Sequence, residues 1–252
     1  MEPHKRARCP GKAETCRPVL QRRVQCDAWC VTARITIDVE TDSCRYMLLL
    51  FDYDGVIADT FQLFLDIFNA AQRSLGEGRA LTKADLSSLP VNSLTCTAEV
   101  IGIPDHLIPR FEAEAAERLV DRASEVHLFT EIPSMLRALS HKHTLCIVTL
   151  NKFQYVATTL TAYSVMDTIA RIYGYETGLS KTESIVLACS TFGSNAETTY
   201  FIGDGISDLQ AARQAGVKTV AALWGFQDRE MLLGEAPDFL ADRPDDLLNL
   251  FT

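Results

Sequence analysis

Met47-Leu48-Leu49-Leu50-Phe51-Asp52-Tyr53-Asp54-Gly55 is the stretch that decides how this chain folds. Its apolar run is unbroken and stops at an acidic turn, the pattern of a strand buried on both faces in a parallel sheet. The strand presents Asp52 and Asp54 two residues apart, hence on one side of the chain. Gly55 then permits a turn that brings the backbone close to a ligand. Two carboxylates about 4 Å apart, at an effective dielectric of ~20, repel by about 4 kcal/mol. A bound divalent cation or a shared proton would remove that cost, although Asp-Gly after a strand is also an ordinary turn.

Downstream, Phe61, Phe64, Leu65, Phe68, Ala71 and Leu75 recur at helical spacing, and Gly76 and Gly78 end the run. Helical patterns continue over 83–89, 94–101 and 109–122, broken by Gly102-Ile103-Pro104, with no strong strand signal before residue 127. From Thr130 helix and strand alternate. Helices are expected over 132–140, 153–163, 182–191 and 208–215, and strands over 144–148, 169–173, 199–202 and 219–223. This series predicts an α/β fold with a Rossmann-like parallel-sheet core over 47–60 and 129–252, interrupted by a helical insertion over 61–128.

In such sheets ligands gather beyond the carboxyl ends of the strands, which draws attention to the residues there. Thr149 closes one strand, and with Asn151 it offers a hydroxyl and an amide to phosphate oxygens without adding charge. Lys181 precedes a helix and could reach over the strand ends, although lysines at such places are commonly solvated. Asp204 sits between Gly203 and Gly205 at another strand end and adds a hard oxygen ligand. Together with Asp52 it suits magnesium better than zinc, since these motifs hold no histidine. Asp208 has an ordinary explanation as an acid at a helix N-terminus.

The bulk composition limits the alternatives. At 252 residues, 47% hydrophobic and 23% charged, the chain has the balance of a globular protein. No apolar run reaches the ~20 residues that cross a bilayer, so no membrane partner is expected. A formal charge of −9 disfavours nucleic acid. Residues 1–25 nonetheless hold seven of the 24 Lys and Arg against two acids. That contrast and the abrupt change at Met47 mark residues 1–46 as an N-terminal extension, poorly ordered or arising from a non-native start, with one candidate exposed strand over 31–38. No signal peptide is visible. Five of the eight cysteines fall before residue 47 without a Cys-x-x-Cys pair, and Cys96, Cys146 and Cys189 lie among apolar or small residues. Reduced thiols and a cytoplasmic location are the expectation.

Taken in order, Phe51-Asp52-Tyr53-Asp54-Gly55-Val56-Ile57-Ala58-Asp59-Thr60, Thr149, Lys181 and Gly203-Asp204-Gly205-Ile206-Ser207-Asp208 resemble the four motifs of the haloacid dehalogenase-like hydrolases, nearest the phosphoglycolate phosphatase-like branch. The resemblance implies a phosphatase of a small phosphorylated metabolite. In it Asp52 would attack phosphorus to form an aspartyl-phosphate, and Asp54 would protonate the leaving oxygen and then activate water. Thr149 and Lys181 would hold the phosphoryl group. Mg²⁺ would be ligated by Asp52, the Asp54 backbone carbonyl and Asp204, with Asp208 behind them positioning Lys181 or a metal-bound water. Negative neighbours are expected to raise the Asp54 pKa. The helical insertion would be the family's cap domain, which closes over the site and selects substrate. Two departures stand out: Leu150 separates Thr149 from Asn151, which puts Asn151 out of register as a phosphate contact, and Thr182 replaces the proline common after the lysine. A sugar-phosphate mutase would use the same residues. A phospho-receiver domain also groups acids, a Thr and a Lys at strand ends, but lacks a cap-sized insertion. Asp54 and Asp204 speak against a dehalogenase.

Overall fold

The structure is a computed structural model and describes residues 46–252 apart from Pro90 and Asn92. The expected strand over 31–38, and the extension it belongs to as far as residue 45, lie outside the described residues. In chain order the elements are β1 (Leu48–Phe51), β2 (Ala58–Asp59), α1 (Phe61–Leu75), α2 (Lys83–Ser87), α3 (Leu94–Val100), α4 (Ile108–Asp121), β3 (His127–Leu128), α5 (Ile132–Ser140) and β4 (Thr144–Val148). They continue with α6 (Phe153–Ala162), β5 (Arg171–Tyr173), α7 (Lys181–Phe192), β6 (Thr199–Gly203), α8 (Ile206–Gln214), β7 (Lys218–Ala222), α9 (Arg229–Gly234), β8 (Phe239–Ala241) and α10 (Asp246–Phe251).

Six strands pair in the order β5-β4-β1-β6-β7-β8, every pair parallel. β1 is central because its residues are apolar on both faces, and alternate side chains serve two different cores. Leu49 and Phe51 join α5, α6 and α10 through Leu136, Leu139, Val156, Leu160, Leu247 and Phe251. Leu48 and Leu50 join α7 and α8 through Ile185, Ala188, Ala211 and Ala212. The result is a three-layer α/β/α arrangement with a Rossmann-like parallel sheet.

Helices α1 to α4 interrupt this core between β2 and β3, which pair antiparallel (Ala58 with Leu128, Asp59 with His127). Apolar residues along one side of α1 are buried (Leu63, Phe64, Ile67, Phe68, Ala71), and Phe68 meets Phe111 of α4 at a ring separation of 6.3 Å. Gly76 ends α1 at φ 73°, where its N–H caps Gln72 O. Reciprocal Thr82–Asp85 and Ser180–Glu183 bonds start α2 and α7.

Besides shifts of one or two residues at element ends, which make Lys181 the first residue of α7, three departures bear on the fold. β2 and β3 are two residues each, too short to leave a period-two signal. α8 begins at Ile206 rather than Asp208, so Asp208 lies inside its first turn. The expected series stops at residue 223, yet β8 extends the sheet edge and α10 covers one face. Among the described residues no helix is long and apolar enough to cross a membrane. Cys96, Cys146 and Cys189 are free thiols.

Candidate active site

β1 lies between β4 and β6, so its carboxyl end sits where the chain winds off to either side, the usual place for a crevice in an open α/β sheet. Asp52 and Asp54 leave this end, and Tyr53 between them turns the opposite way into full burial against Tyr155. Gly55 then takes φ +77°. A Cβ there would lie 2.0 Å from Asp204 Oδ2, so the turn requires glycine for its conformation and for the space the neighbouring carboxylate occupies.

β6 carries Asp204 to the same end, and the first turn of α8 adds Asp208. One oxygen each from Asp52, Asp204 and Asp208 fall within 4.8 Å of one another. Lys181, the first residue of α7, places Nζ 3.1 Å from Asp52 Oδ2 and 2.5 Å from Asp208 Oδ1. The other Asp208 oxygen accepts from Gly205 N at 3.1 Å. Asp208 thus ties the lysine to the turn that presents Asp204.

Burial governs the charges here. It pushes Asp52 up to about 7, opposed by Lys181 and assisted by Asp208 and Asp54. Asp204 is raised well above the usual carboxylate range, by burial first and then by Asp208 and Asp52. Burial works against the Lys181 charge, but Asp208 and Asp52 outweigh it and hold the ammonium firmly protonated. Three carboxylates therefore share one cation. The hard oxygens and the uncompensated negative charge fit a bound divalent ion of the magnesium type.

Asp54 is held apart from this cluster. Thr60 Oγ1 donates to its Oδ1 at 2.8 Å and Asn151 Nδ2 to its Oδ2 at 2.5 Å. Its pKa is raised, but the cause differs from the one expected. Burial lifts it, and the two donors work the other way. Thr149, at the end of β4, accepts from Asn151 N at 3.2 Å and from Asn151 Nδ2 at 3.1 Å. Both bonds fill lone pairs of the Thr149 hydroxyl and leave its O–H to donate elsewhere. The side chain of Asn151 is directed to Asp54 and Thr149, and Leu150 between them is 59% exposed.

A further segment at this sheet end carries no expectation from the sequence. After β7, Phe226 N donates to Asp204 Oδ2 at 2.7 Å, and a Cβ on Gly225 would lie 2.2 Å from the Asp204 Cβ. Trp224 Nε1 donates to Val56 O at 3.1 Å. The available signal is Trp224-Gly225-Phe226 directly after a buried strand, a glycine between aromatics at the end of the sheet where the acids gather. Thr60, which closes the first motif, also donates to Asp54, a contact that nothing in its sequence position signals.

Several known proteins resemble this chain. Residues 49–222 match the family described as haloacid dehalogenase-like hydrolase. A phosphoglycolate phosphatase of Synechococcus elongatus is 26% identical over 206 residues, covering 81% of this chain and 96% of the relative. One from Xylella fastidiosa is 28% identical, covering 72% and 82%. A haloacid dehalogenase-like family hydrolase from Streptococcus pneumoniae superposes with a TM-score of 0.73 at 23% identity, covering 82% of this chain and 99% of that one. The family match runs from β1 to the end of β7 and so spans every strand that brings a residue to the site. On that match, together with the shared fold, the chain belongs to the haloacid dehalogenase-like hydrolase family.

Proposed function

We propose that this chain is a Mg²⁺-dependent phosphatase of small phosphoesters, phosphoglycolate phosphatase-like, acting through an aspartyl-phosphate on Asp52. One observation carries the reading: Lys181 is held between Asp52 and Asp208 beside Asp204, while Asp54 stands apart on donors of its own. The relatives named phosphoglycolate phosphatase support the substrate class.

In this reading an Asp52 oxygen attacks phosphorus, the P–O bond to the leaving group breaks, and the leaving oxygen takes the proton of Asp54. Burial favours the protonated state that this first role needs. The resulting Asp54 carboxylate takes a proton from water, whose oxygen attacks phosphorus. The acyl-phosphate P–O bond breaks and Asp52 is regenerated. Thr149 O–H and the Lys181 ammonium hold phosphoryl oxygens, and Asn151 positions Thr149 and Asp54. Asp52, Asp204 and the Asp54 carbonyl would hold Mg²⁺, with Asp208 behind them on Lys181. When bound, the ion offsets the repulsion between these carboxylates and a phosphate dianion. The helices of residues 61–128 act as a cap that screens the site from bulk water and selects the leaving group.

The test is a panel of small phosphoesters assayed with Mg²⁺ and with chelator, beside Asp52→Asn. Hydrolysis of at least one ester that needs Mg²⁺ and falls by ~10³ or more in the variant is expected. A wild-type protein as inactive as a correctly folded variant across the panel would overturn the reading.

A further inference from the structure

Gln227 lies between β7 and α9, outside any helix or strand, yet only 6% of it is exposed. A buried primary amide is tolerated when its donors and acceptor are matched, and the partners here are far apart in sequence. Gln227 Oε1 accepts from Ile206 N at 2.6 Å. Gln227 Nε2 donates to Leu89 O at 2.5 Å, across 138 residues. Ile206 is the first residue of α8, so its N–H has no acceptor within that helix. Leu89 follows α2 in the link to α3 and is 1% exposed. Each partner is thus a backbone group that local structure leaves open. An N–H at one end and a C=O at the other also fix which way the amide points.

The neighbouring residues repeat the pattern. Phe226 N binds Asp204, and its ring sits edge-on to Phe61 at 5.1 Å and Phe64 at 5.8 Å, both in α1. Trp224 binds Val56 O, just before the chain enters the insertion. Residues 224–227 therefore touch the turn carrying Asp204 and Asp208 on one side and the helical insertion on the other.

We propose that Gln227 is a positioning residue that locks the Asp204–Asp208 turn to the link between α2 and α3, so that the carboxylate site and the helical insertion keep one register. The inference rests on the reading of these acids as part of a cation and phosphate site. Displacing the α2–α3 link would strip Gln227 Nε2 of its acceptor, free the amide to turn, and release Ile206 N at the base of Asp208. Asp208 holds Lys181, so the disturbance passes directly to the group beside Asp52.

Two variants separate the bonds. Gln227→Met keeps the length and loses both. Gln227→Glu can accept from Ile206 N in either protonation state but can donate to Leu89 O only when protonated. The first readout needs neither metal nor activity: hydrogen–deuterium exchange of peptides covering 86–91 and 204–209 in the full chain under chelator. Gln227→Met is expected to speed exchange about tenfold or more in both segments and to leave 144–148 unchanged. The second is turnover of p-nitrophenyl phosphate as Mg²⁺ is varied, where Gln227→Met is expected to raise the half-activating Mg²⁺ concentration about fivefold or more. The turnover of Gln227→Glu at subsaturating Mg²⁺, divided by that of wild type at each pH, is expected to approach unity at pH ~5.5 and to fall towards the ratio of the methionine variant at pH ~8.5.

Faster exchange in one segment alone, or in neither, would overturn the coupling, and so would a glutamate-to-wild-type ratio that does not change with pH. If Gln227→Met does not fold, exchange of 86–91 in Gln227→Glu at the two pH values, corrected for intrinsic rates, decides the matter. A wild type that hydrolyses no phosphoester would sink the phosphatase reading, while the exchange results would still decide the role of Gln227.

Discussion

Replacing Lys181 by methionine removes one positive charge from among three buried carboxylates while nearly preserving side-chain volume. Lys181 and Asp52 keep only 16% and 14% of their side-chain exposure and Asp208 keeps 4%, so solvent cannot substitute for the lost ammonium. Breaking a buried pair by deleting one partner costs about 3–5 kcal/mol, because the remaining charge is stranded. Packing contributes little, since the swap is close to isosteric. For a unit of this size 1 kcal/mol corresponds to about 2–4 °C, so melting in chelator is expected to fall by about 6–20 °C. A cation that binds the folded state at ~100 times its dissociation constant contributes about 2.7 kcal/mol, so excess Mg²⁺ should recover roughly half or more of the loss. Turnover should still drop by ~10²–10³, because the ion does not replace a donor aimed at the phosphoryl oxygens. Differential scanning fluorimetry with and without MgCl₂, beside a phosphatase assay, measures both effects. A variant that melts within ~2 °C of wild type in chelator and retains most of its turnover would refute the argument that Lys181 holds this charge cluster.

Three further outcomes follow from particular contacts. Gly225→Ala would put a Cβ 2.2 Å from the Asp204 Cβ and displace the Phe226 N–H from its carboxylate, so a loss of about 1–3 kcal/mol in urea unfolding and weaker Mg²⁺ activation are expected. Burial pushes the Cys146 thiol up to about 12, which leaves a thiolate fraction of ~10⁻⁴ at pH 8. Mass spectrometry after iodoacetamide treatment should find it unmodified in the folded chain and alkylated after denaturation. Its folded pKa lies above its unfolded value, so its contribution to stability is complete below pH ~9 and is lost as pH climbs towards 12. Asp85→Ala removes the reciprocal cap with Thr82 at the start of α2 and should cost about 0.5–2 kcal/mol in urea unfolding near pH 7. The Asp85 carboxyl lies below its usual range, held there first by the Arg79 guanidinium and then by Thr82. Its contribution is therefore present at neutral pH and fades as pH falls below about 4, and the difference between variant and wild type should narrow there.

The α/β order and the strand ends can be read from the chain because both rest on short-range patterns. A continuous apolar run such as Leu48–Phe51, ended by a turn and followed by alternating helices and strands, fits a strand buried on both faces of a parallel sheet. The 3.6-residue spacing of α1 marks the start of the insertion. The same signals fail where elements are too short or too mixed. β2 and β3 have two residues each, and β8 alternates weakly around the exposed Leu240. Asp52, Asp54, Thr149, Lys181 and Asp204 are legible on the chain as a set, because each falls at a strand end or a helix start of a parallel sheet; taken singly each has an ordinary structural explanation.

The sequence by itself determined five of the six strands of the parallel sheet, its interruption by helices and the positions at which polar residues reach the carboxyl ends. Which of those residues meet was decided only by the tertiary structure, because hydrogen bonds and burial depend on groups brought together across the fold. It separated Asp54 from the cluster by giving it Thr60 and Asn151, and it placed Asp208 against Lys181. It showed burial, rather than negative neighbours, to be what lifts the Asp54 pKa. It also brought Trp224 to Gln227 against the first motif, the acid turn and the α2–α3 link. No periodicity marks that loop, because Trp224 and Gln227 bind backbone groups up to 168 residues away, and a backbone N–H or C=O has no signature in the sequence.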